Sequence, residues 1–235
     1  MPCWGPHLQT TLFTVRTMTT KESMLQKIRE AVGDLRNSVS LPPPPDVWMV
    51  EGLSVDEQAN RFRANIEAVA GEVVFCNDLA EAVKRIAALL DETGSRRLAV
   101  HDREPCRTVA EQLEGKELTF AAAEASAESL SALDAGIVSP ELLLSDTGSC
   151  VFSAPTPFDR LTTYITPLSI VVASRSMLRE HLPQAWTELK PRLETAKTGE
   201  FVIVTGPSRT ADIEKMLILG VHGPKRIVVF LMEKT

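Results

Sequence analysis

Residues 200–224 have the sequence EFVIVTGPSRTADIEKMLILGVHGP, and this stretch decides the predicted fold. Phe201 to Val204 is an apolar run without alternation, which is typical of a strand buried on both faces of a parallel sheet. From Thr210 the apolar residues follow a helical period, so the pattern predicts a helix that ends at Gly220. Ile227 to Met232 is a second buried strand. A strand, a turn, a helix and a strand in this order predict an open α/β sheet.

The turn between this strand and this helix is a candidate anion-binding site. A helix N-terminus has unpaired backbone N–H groups and the positive end of the helix dipole. A cation such as Arg209 is unfavourable there unless an anion lies between them, although Arg209 could instead face solvent or pair with Asp212. The sequence contains neither GxGxxG nor a P-loop, so no nucleotide motif applies. The candidate ligand-binding residues of this loop are Gly206, Ser208, Arg209, Thr210 and Asp212.

A second candidate lies between the apolar runs Leu142 to Leu144 and Val151 to Phe152. Asp146, Thr147 and Gly148 between them predict a hairpin turn. A carboxylate on a tight turn is exposed, which makes Asp146 a weak candidate for a general base or nucleophile. The interpretation we favour is that Asp146 bonds the backbone of its own turn. Thr147 and Gly148 could still present their N–H groups to a ligand.

Two histidines are further candidates for contact with a ligand. His101 follows a predicted strand and lies at the edge of the sheet where ligands bind, although a lone histidine there is usually structural. A helix of about ten residues at roughly 1.5 Å each would place His222 about 15 Å from Arg209. The two are therefore not expected to bind one ligand, and His222 is interpreted as a capping and packing residue. Ser208 has no partners in the sequence that indicate a hydrolase triad.

Residues 205–231, TGPSRTADIEKMLILGVHGPKRIVVFL, resemble the C-terminal signature of the LUD-domain family, in particular its LutC (YkgG) branch. The resemblance extends from about Leu53 to Leu231 and includes SDTGS at 145–149. It implies a three-layer α/β/α fold with a mixed, mostly parallel sheet, as in the NagB/RpiA/CoA-transferase group. Related CoA-transferases have a catalytic glutamate on a comparable turn. This chain has the shorter Asp146, so that chemistry is not carried over.

The same resemblance implies a function in the cytoplasmic oxidation of L-lactate to pyruvate. In that system the iron–sulfur clusters belong to cysteine-rich partners, here LutA-like and LutB-like proteins. The four cysteines of this chain are far apart and form no CxxC pair, so neither a metal nor another cofactor is expected in it. The alternatives are a stand-alone enzyme acting on a phosphorylated sugar or a CoA thioester, and an anion-binding subunit without turnover.

The composition limits the possible partners. A net charge of −6 disfavours general nucleic-acid binding, because no excess of Lys and Arg is present to neutralise phosphates. No apolar run approaches the roughly 20 residues of a membrane helix, and residues 1–20 lack the pattern of a signal peptide. We therefore expect a cytoplasmic protein with free thiols. The small anionic ligand is expected from the loop at residues 206–212, and the sequence leaves a homo-oligomeric state open.

The domain organisation follows from the same patterns. Residues 1–20 are an unassigned extension, and residues 21–45 combine an amphipathic helix up to Asn37 with the proline-rich arm Leu41 to Pro45. The apolar face of that helix is expected to pack on its own domain, on a partner or on a second copy. Residues 46–235 alternate helices with strands, which predicts parallel βαβ units. Further helices are predicted near residues 54–69, 79–90, 104–113, 121–133, 176–181 and 184–196.

Overall fold

The structure is a computed structural model of the chain. It describes residues 20–32, 48, 51–120, 127–195, 200–210, 218–219 and 223–233. The chain divides into two compact units, Met1–Val47 and Trp48–Thr235. The first unit contributes helix α1 (Thr20–Val32). Its predicted continuation to Asn37 lies outside the described residues. Four apolar side chains of α1 are exposed, namely Met24, Leu25, Ile28 and Val32.

The second unit alternates helices and strands, with a 3₁₀ turn at Arg175–Met177. Its elements are α2 (Val55–Ala68), β1 (Glu72–Cys76), α3 (Leu79–Glu92), β2 (Arg97–Val100), α4 (Cys106–Glu111), β3 (Glu117–Phe120), α5 (Ala127–Ser131), β4 (Ala135–Val138), β5 (Leu142–Leu144), β6 (Ser149–Ser153), α6 (Pro157–Tyr164), β7 (Leu168–Ser174), β8 (Leu178–Arg179), α7 (Leu182–Thr195), β9 (Phe201–Val204), β10 (Arg209–Thr210), β11 (Ile218–Leu219) and β12 (Arg226–Met232).

The main sheet has six parallel strands in the order β1-β12-β7-β4-β2-β3. Its central strands β4 and β7 are buried along their whole length, as expected where both faces are covered. Helices α3 and α4 pack on one face. Helix α2 and a second sheet pack on the other face. The predicted three-layer α/β/α architecture with a mostly parallel sheet is confirmed.

The second sheet has the order β8-β5-β6-β9 and contains both antiparallel and parallel pairs. Strands β5 and β8 begin shortly after the carboxyl ends of β4 and β7. The small sheet is therefore attached at the carboxyl edge of the main sheet. Helix α7 covers its other face through Ala185 and Leu189.

The strand from Phe201 to Val204 is not in the main sheet. As β9 it pairs antiparallel with β6 and is the last strand of the small sheet, and Ile203 is 47% exposed. The predicted position in a parallel sheet is therefore wrong, and so is the predicted strand–helix–strand unit. A short apolar run identifies a strand, but it does not identify the sheet that the strand joins.

The helix predicted from Thr210 to Gly220 is wrong at the residues of this range that the structure describes, Thr210, Ile218 and Leu219. Arg209–Thr210 pairs antiparallel with Ile218–Leu219, so both segments are strands. Residues 211–217 and Gly220 lie outside the described part of the chain. Because Thr210 is in a strand, Ser208 and Thr210 do not cap a helix that begins there.

Two further differences occur before this stretch. The helix predicted at residues 176–181 is replaced by the 3₁₀ turn and by β8, because Leu178 pairs with Leu143 of β5. Helix α6 was not predicted, although Thr156 caps it and Pro157 is its first residue. The first helix of the domain, α2, begins as predicted at Ser54, which forms a capping box with Glu57.

Helix α2 packs directly on two turns at one end of the small sheet. Gly148 has φ of +67°, and a Cβ there would lie 2.3 Å from the backbone nitrogen of Ile66. Gly206 has φ of +75°, and a Cβ there would lie 2.8 Å from Cγ2 of Val69. Both positions thus require glycine for its backbone conformation and for its small size.

We predict that Gly148→Ala destabilises the protein much more than Gly94→Ala. Gly94 also has a positive φ, of +66°, but a Cβ there meets no atom within 4 Å. Backbone strain should lower the free energy of unfolding of the Gly94 variant by about 1 kcal/mol. In the Gly148 variant, overpacking should lower it by about 2 kcal/mol more. Urea unfolding of both variants measures the difference, and equal losses would contradict the close packing on α2.

Candidate functional site

The predicted hairpin turn is confirmed. Leu144 of β5 pairs with Ser149 of β6, which leaves residues 145–148 as the turn, and the Gly148 N–H donates to the Leu144 carbonyl at 2.9 Å. Asp146 is half-buried, and its Oδ1 accepts a hydrogen bond from the Thr147 hydroxyl at 3.3 Å. The described contacts of the Asp146 carboxylate are thus with a neighbouring side chain, where we had expected the turn backbone.

Helix α2 fixes the backbone of this turn. Asn65 Nδ2 donates to the carbonyl oxygens of Ser145 and Asp146, at 2.8 and 2.9 Å. The N–H of Asp146 donates to the carbonyl oxygen of Glu180 at 3.0 Å. The backbone of the turn is therefore held on one side by the Asn65 side chain and on the other by the backbone at Glu180.

A chain of hydroxyl groups joins this turn to the end of β9. Ser149 Oγ donates to Thr147 Oγ1 at 2.8 Å and lies 2.6 Å from Thr205 Oγ1. Thr205 precedes Gly206, so the structure brings together Thr147 and Gly148 with the start of the predicted anion loop. Sequence reasoning had treated these two groups as separate candidates.

The remaining residues of the anion loop lie in a different setting from the predicted one. The Ser208 N–H donates to the Pro224 carbonyl at 2.9 Å, and Gly223 lies against Ser208. Arg209 is exposed. No helix begins at Arg209, so the helix-dipole argument fails there, and Asp212 and His222 lie outside the described residues. The expected separation of His222 from Arg209 therefore stays a prediction.

A second polar site lies where the order of the main sheet changes direction. From β2 the chain continues to β3 on one side, whereas from β4 it continues to β7 on the other side. Ligands of open α/β sheets bind at the carboxyl ends of strands at such a switch point. His101 and Arg103 follow β2 at this point, and Glu141 follows β4.

Arg103 is the centre of this cluster. Its Nη1 donates to Glu141 Oε1 at 3.1 Å and to Ser153 Oγ at 3.0 Å, and its Nη2 donates to the Ser153 carbonyl at 3.0 Å. Ser153 Oγ donates in turn to Glu141 Oε1 at 2.6 Å. Asp159 Oδ1 lies 3.8 Å from Nη2, which is too long for a hydrogen bond. The side chains of Arg103, Glu141 and Asp159 are 24%, 21% and 12% exposed, so solvent reaches the cluster.

His101 lies behind this cluster and is completely buried. Its Nε2 is 3.1 Å from the Asp159 carbonyl oxygen, which can only accept, so Nε2 carries the proton. Its Nδ1 is therefore an acceptor, and it has no hydrogen-bond partner among the described residues. Burial, and after it the positive charge of Arg103, lower the pKa of His101 to about 4.

Sequence reasoning found only His101 of this site. Arg103 and Glu141 each follow a predicted strand, so the rule that carboxyl ends of parallel strands meet at one edge could have identified both. Ser153 and Asp159 belong to β6 and α6, whose positions depend on tertiary packing. No signal in the sequence places them beside Arg103.

The described cysteines do not contribute a reactive group. Cys76, Cys106 and Cys150 are free and buried. Burial raises the pKa of Cys76 to about 11 and that of Cys150 to about 12, and it also raises the pKa of Cys106. These thiols are protonated at neutral pH and are poor nucleophiles. Within the described ranges, no group of three or more His, Cys, Asp or Glu side chains could hold a metal ion.

The parallel sheet and the helices on its two faces define a three-layer α/β/α protein, with a polar cluster at the switch point of the sheet. The family profile described as LUD domain matches residues 59–232. The chain therefore belongs to the LUD-domain family. None of the helices that the structure describes is long and apolar enough to cross a membrane.

Several relatives match almost the whole chain. It is 27% identical to lactate utilization protein C of Bacillus pumilus, over 92% of this chain and 98% of that protein. Lactate utilization protein C of Bacillus subtilis is 22% identical, over 93% of this chain and 98% of that protein. The uncharacterized protein YkgG of Escherichia coli is 29% identical over 42% of this chain and 43% of that protein. The crystal structure of a DUF162 family protein from Deinococcus radiodurans has the same fold, with a TM-score of 0.58 and 19% identity over 77% of this chain and 99% of that one.

The pKa of His101 predicts a pH dependence of stability. The folded state holds His101 neutral down to about pH 4, whereas the unfolded chain protonates it near pH 6.5. The free energy of unfolding should therefore fall as the pH decreases from 6.5 to 4, by at most about 1.4 kcal/mol per pH unit from this group. Urea unfolding across this range should show a steeper decrease in the wild type than in His101→Gln. Parallel pH profiles of the two proteins would show that His101 is not held neutral.

The anion loop remains a prediction and is tested at Arg209. Sulfate or phosphate should raise the thermal unfolding midpoint of the wild type, Arg209→Ala should remove this effect, and Arg209→Lys should restore part of it, because lysine keeps the charge but not the fork. Arg96→Ala, which removes another exposed arginine, is the control. If Arg209→Ala instead lowers the stability of the free protein by more than about 1 kcal/mol and anion binding persists, Arg209 is a structural residue.

Proposed function

We propose that this protein is a component of an L-lactate utilisation system that oxidises lactate to pyruvate in the cytoplasm. The observation that supports this proposal is the match over almost the full length of both chains to the lactate utilization protein C of Bacillus pumilus and of Bacillus subtilis. A match of that extent includes the cluster around Arg103, the turn at Thr147 and Gly148, and the candidate anion loop from Gly206 to Asp212.

In the proposed system, the electron-transfer groups belong to LutA-like and LutB-like iron–sulfur partners. The three described cysteines lie in different elements: Cys76 ends β1, Cys106 begins α4 and Cys150 lies in β6. An iron–sulfur cluster requires several thiolates around one centre, which is not the chemistry of three buried, protonated thiols. The chain would thus act as a subunit without a cofactor of its own, and the purified protein should be colourless and unable to reduce a dye with lactate.

Deletion of the gene tests the proposed function. The deletion strain should grow poorly on L-lactate and normally on pyruvate or glucose, because only the first carbon source requires the oxidation step. A plasmid copy of the gene should restore growth on L-lactate. Normal growth of the deletion strain on L-lactate, in an organism without a second copy, would reject the proposal.

The partnership is tested separately. Co-expression with the two iron–sulfur subunits should allow their isolation together with this chain, and the complex should reduce a dye with L-lactate. If the isolated chain performs this reaction by itself, the assignment of the redox groups to partners is wrong.

A further inference from the structure

We propose that β9 is an interface at which a second copy of this chain adds its own β9, antiparallel and centred on Ile203. The proposed function neither implies nor requires this contact, so either can be wrong without the other. β9 is the last strand of the small sheet, and no other strand that the structure describes pairs with its outer edge. The outer edge of β9 is therefore open to a partner strand.

Every second residue of β9 has its backbone groups on this outer edge. The Ala154 N–H donates to the Glu200 carbonyl at 2.9 Å, which makes these two residues a hydrogen-bonded pair next to the ladder of β6 and β9. Hydrogen-bonded pairs alternate with other pairs along an antiparallel ladder, so Val202 and Val204 also bond to β6. The residues between and beside these two consequently direct their N–H and carbonyl groups to the outer edge, namely Phe201, Ile203 and Thr205.

The same edge carries exposed apolar side chains. Phe201 packs under α7, and Ile203, two residues further along the strand, lies on the same face but is 47% exposed. Trp186 of α7 is 45% exposed, and its ring lies 6.4 Å from that of Phe201. Large exposed apolar side chains that lie together are typical of an interaction surface.

β9 also lacks the features that keep an edge strand from pairing. Natural proteins protect such edges with charged residues, proline or a bulge. Of the strands that end the two larger sheets, β1, β3 and β8 each contain a charged residue, whereas β9 has the sequence FVIV. Its pairing with β6 is regular over all four residues, so no bulge interrupts it. An edge of this kind is expected to have a partner.

The register of β9 with itself favours a second copy of the chain as that partner. A two-fold axis at Ile203 makes the two strands antiparallel and places Ile203 opposite its counterpart, so the outward N–H and carbonyl of each exchange hydrogen bonds. Val202 then lies opposite Val204, and Phe201 lies opposite Thr205, whose backbone groups also point outward. No two charged residues face each other in this register. β9 is therefore complementary to itself in hydrogen bonding and in side-chain type.

Pairing of the two copies covers the exposed apolar surface. The two Ile203 side chains lie side by side on the α7 face, because directly opposite residues of an antiparallel pair point to the same face of the sheet. Each removes the other from water, and burial of such apolar surface favours association. The two small sheets then form one continuous sheet across the dimer, and the edge at β9 no longer exists.

Analytical ultracentrifugation of the purified full-length chain tests the interface. The wild type should sediment as a dimer that dissociates on dilution. Ile203→Lys should sediment as a monomer at every concentration, because like charges directly opposite each other destabilise a strand pair. Val55→Lys is the matched control: Val55 is also apolar and is 51% exposed, but it begins α2, so its variant should remain a dimer. A circular dichroism melt of each variant shows whether it is folded.

Cysteine cross-linking tests the register. All variants carry Cys3→Ser, and the described cysteines are buried. In the proposed dimer the two Cα atoms at position 203 are about 5.5 Å apart, so Ile203→Cys should give a covalent dimer with a bifunctional thiol reagent of matching length. Thr205→Cys is the control: Thr205 is exposed at the end of the same strand, but its two copies would be about 13 Å apart.

Two results overturn the interface. The first is a wild type that sediments as a monomer at every concentration, which includes the case in which the edge accepts only a different protein. The second is a dimer that persists in folded Ile203→Lys, or that is linked no more readily at position 203 than at position 205. Normal growth of the deletion strain on L-lactate rejects only the proposed function, since sedimentation is measured on the purified chain.

Discussion

The packing of α2 and the small sheet on one face of the main sheet is the constraint on which both candidate sites depend. Phe62 and Ile66 of α2, Phe152 of the small sheet and Val229 of the main sheet belong to one buried cluster. Burial of such side chains contributes about 1.5–3 kcal/mol each. This apolar contact fixes the small sheet at the carboxyl edge of the main sheet. The positions of the polar residues at the ends of the small sheet depend on that contact.

Arg103 illustrates how that constraint produces a functional feature. Its partners come from the segment before β5, the end of β6 and the first turn of α6, so no local stretch of sequence contains the cluster. Removing one carboxylate partner from a partly buried guanidinium would be costly, whereas the intact ion pair contributes little net stability. The network is therefore better understood as a fixed arrangement of charges than as a source of stability.

The elements that the sequence predicted correctly are those whose pattern is local. The period of apolar residues in α3 reflects burial of one helix face, and the continuous apolar run of β12 reflects burial on both faces of the sheet. The type of each element therefore follows from its own residues. The stretch after Val204 shows the opposite case. Its apolar period favours a helix, yet Arg209 and Leu219 face each other in an antiparallel pair, a contact between residues ten positions apart that a helical period does not reveal.

The site was partly predictable for the same reason. Strand ends can be located from sequence, and His101 was found in this way, but strand order cannot, because it depends on which strands pair. The prediction placed the Phe201 to Val204 strand and β12 in one parallel sheet, which would have made the loop after Val204 part of the carboxyl edge of that sheet. With β7 and β1 as the actual neighbours of β12, that edge belongs instead to the ends of β2 and β4.

Strand β6 connects the turn beside the predicted anion loop with the cluster around Arg103. One of its ends, Ser149, takes part in the hydroxyl contacts with Thr205, and the other, Ser153, accepts from Arg103. Four residues at about 3.3 Å each separate the two ends by roughly 13 Å, too far for one small acid to contact both. β6 is buried along most of its length and paired with β5 and β9, so it holds both ends in the small sheet. The Arg103 cluster and the predicted loop are therefore two separate candidates at the two ends of one strand.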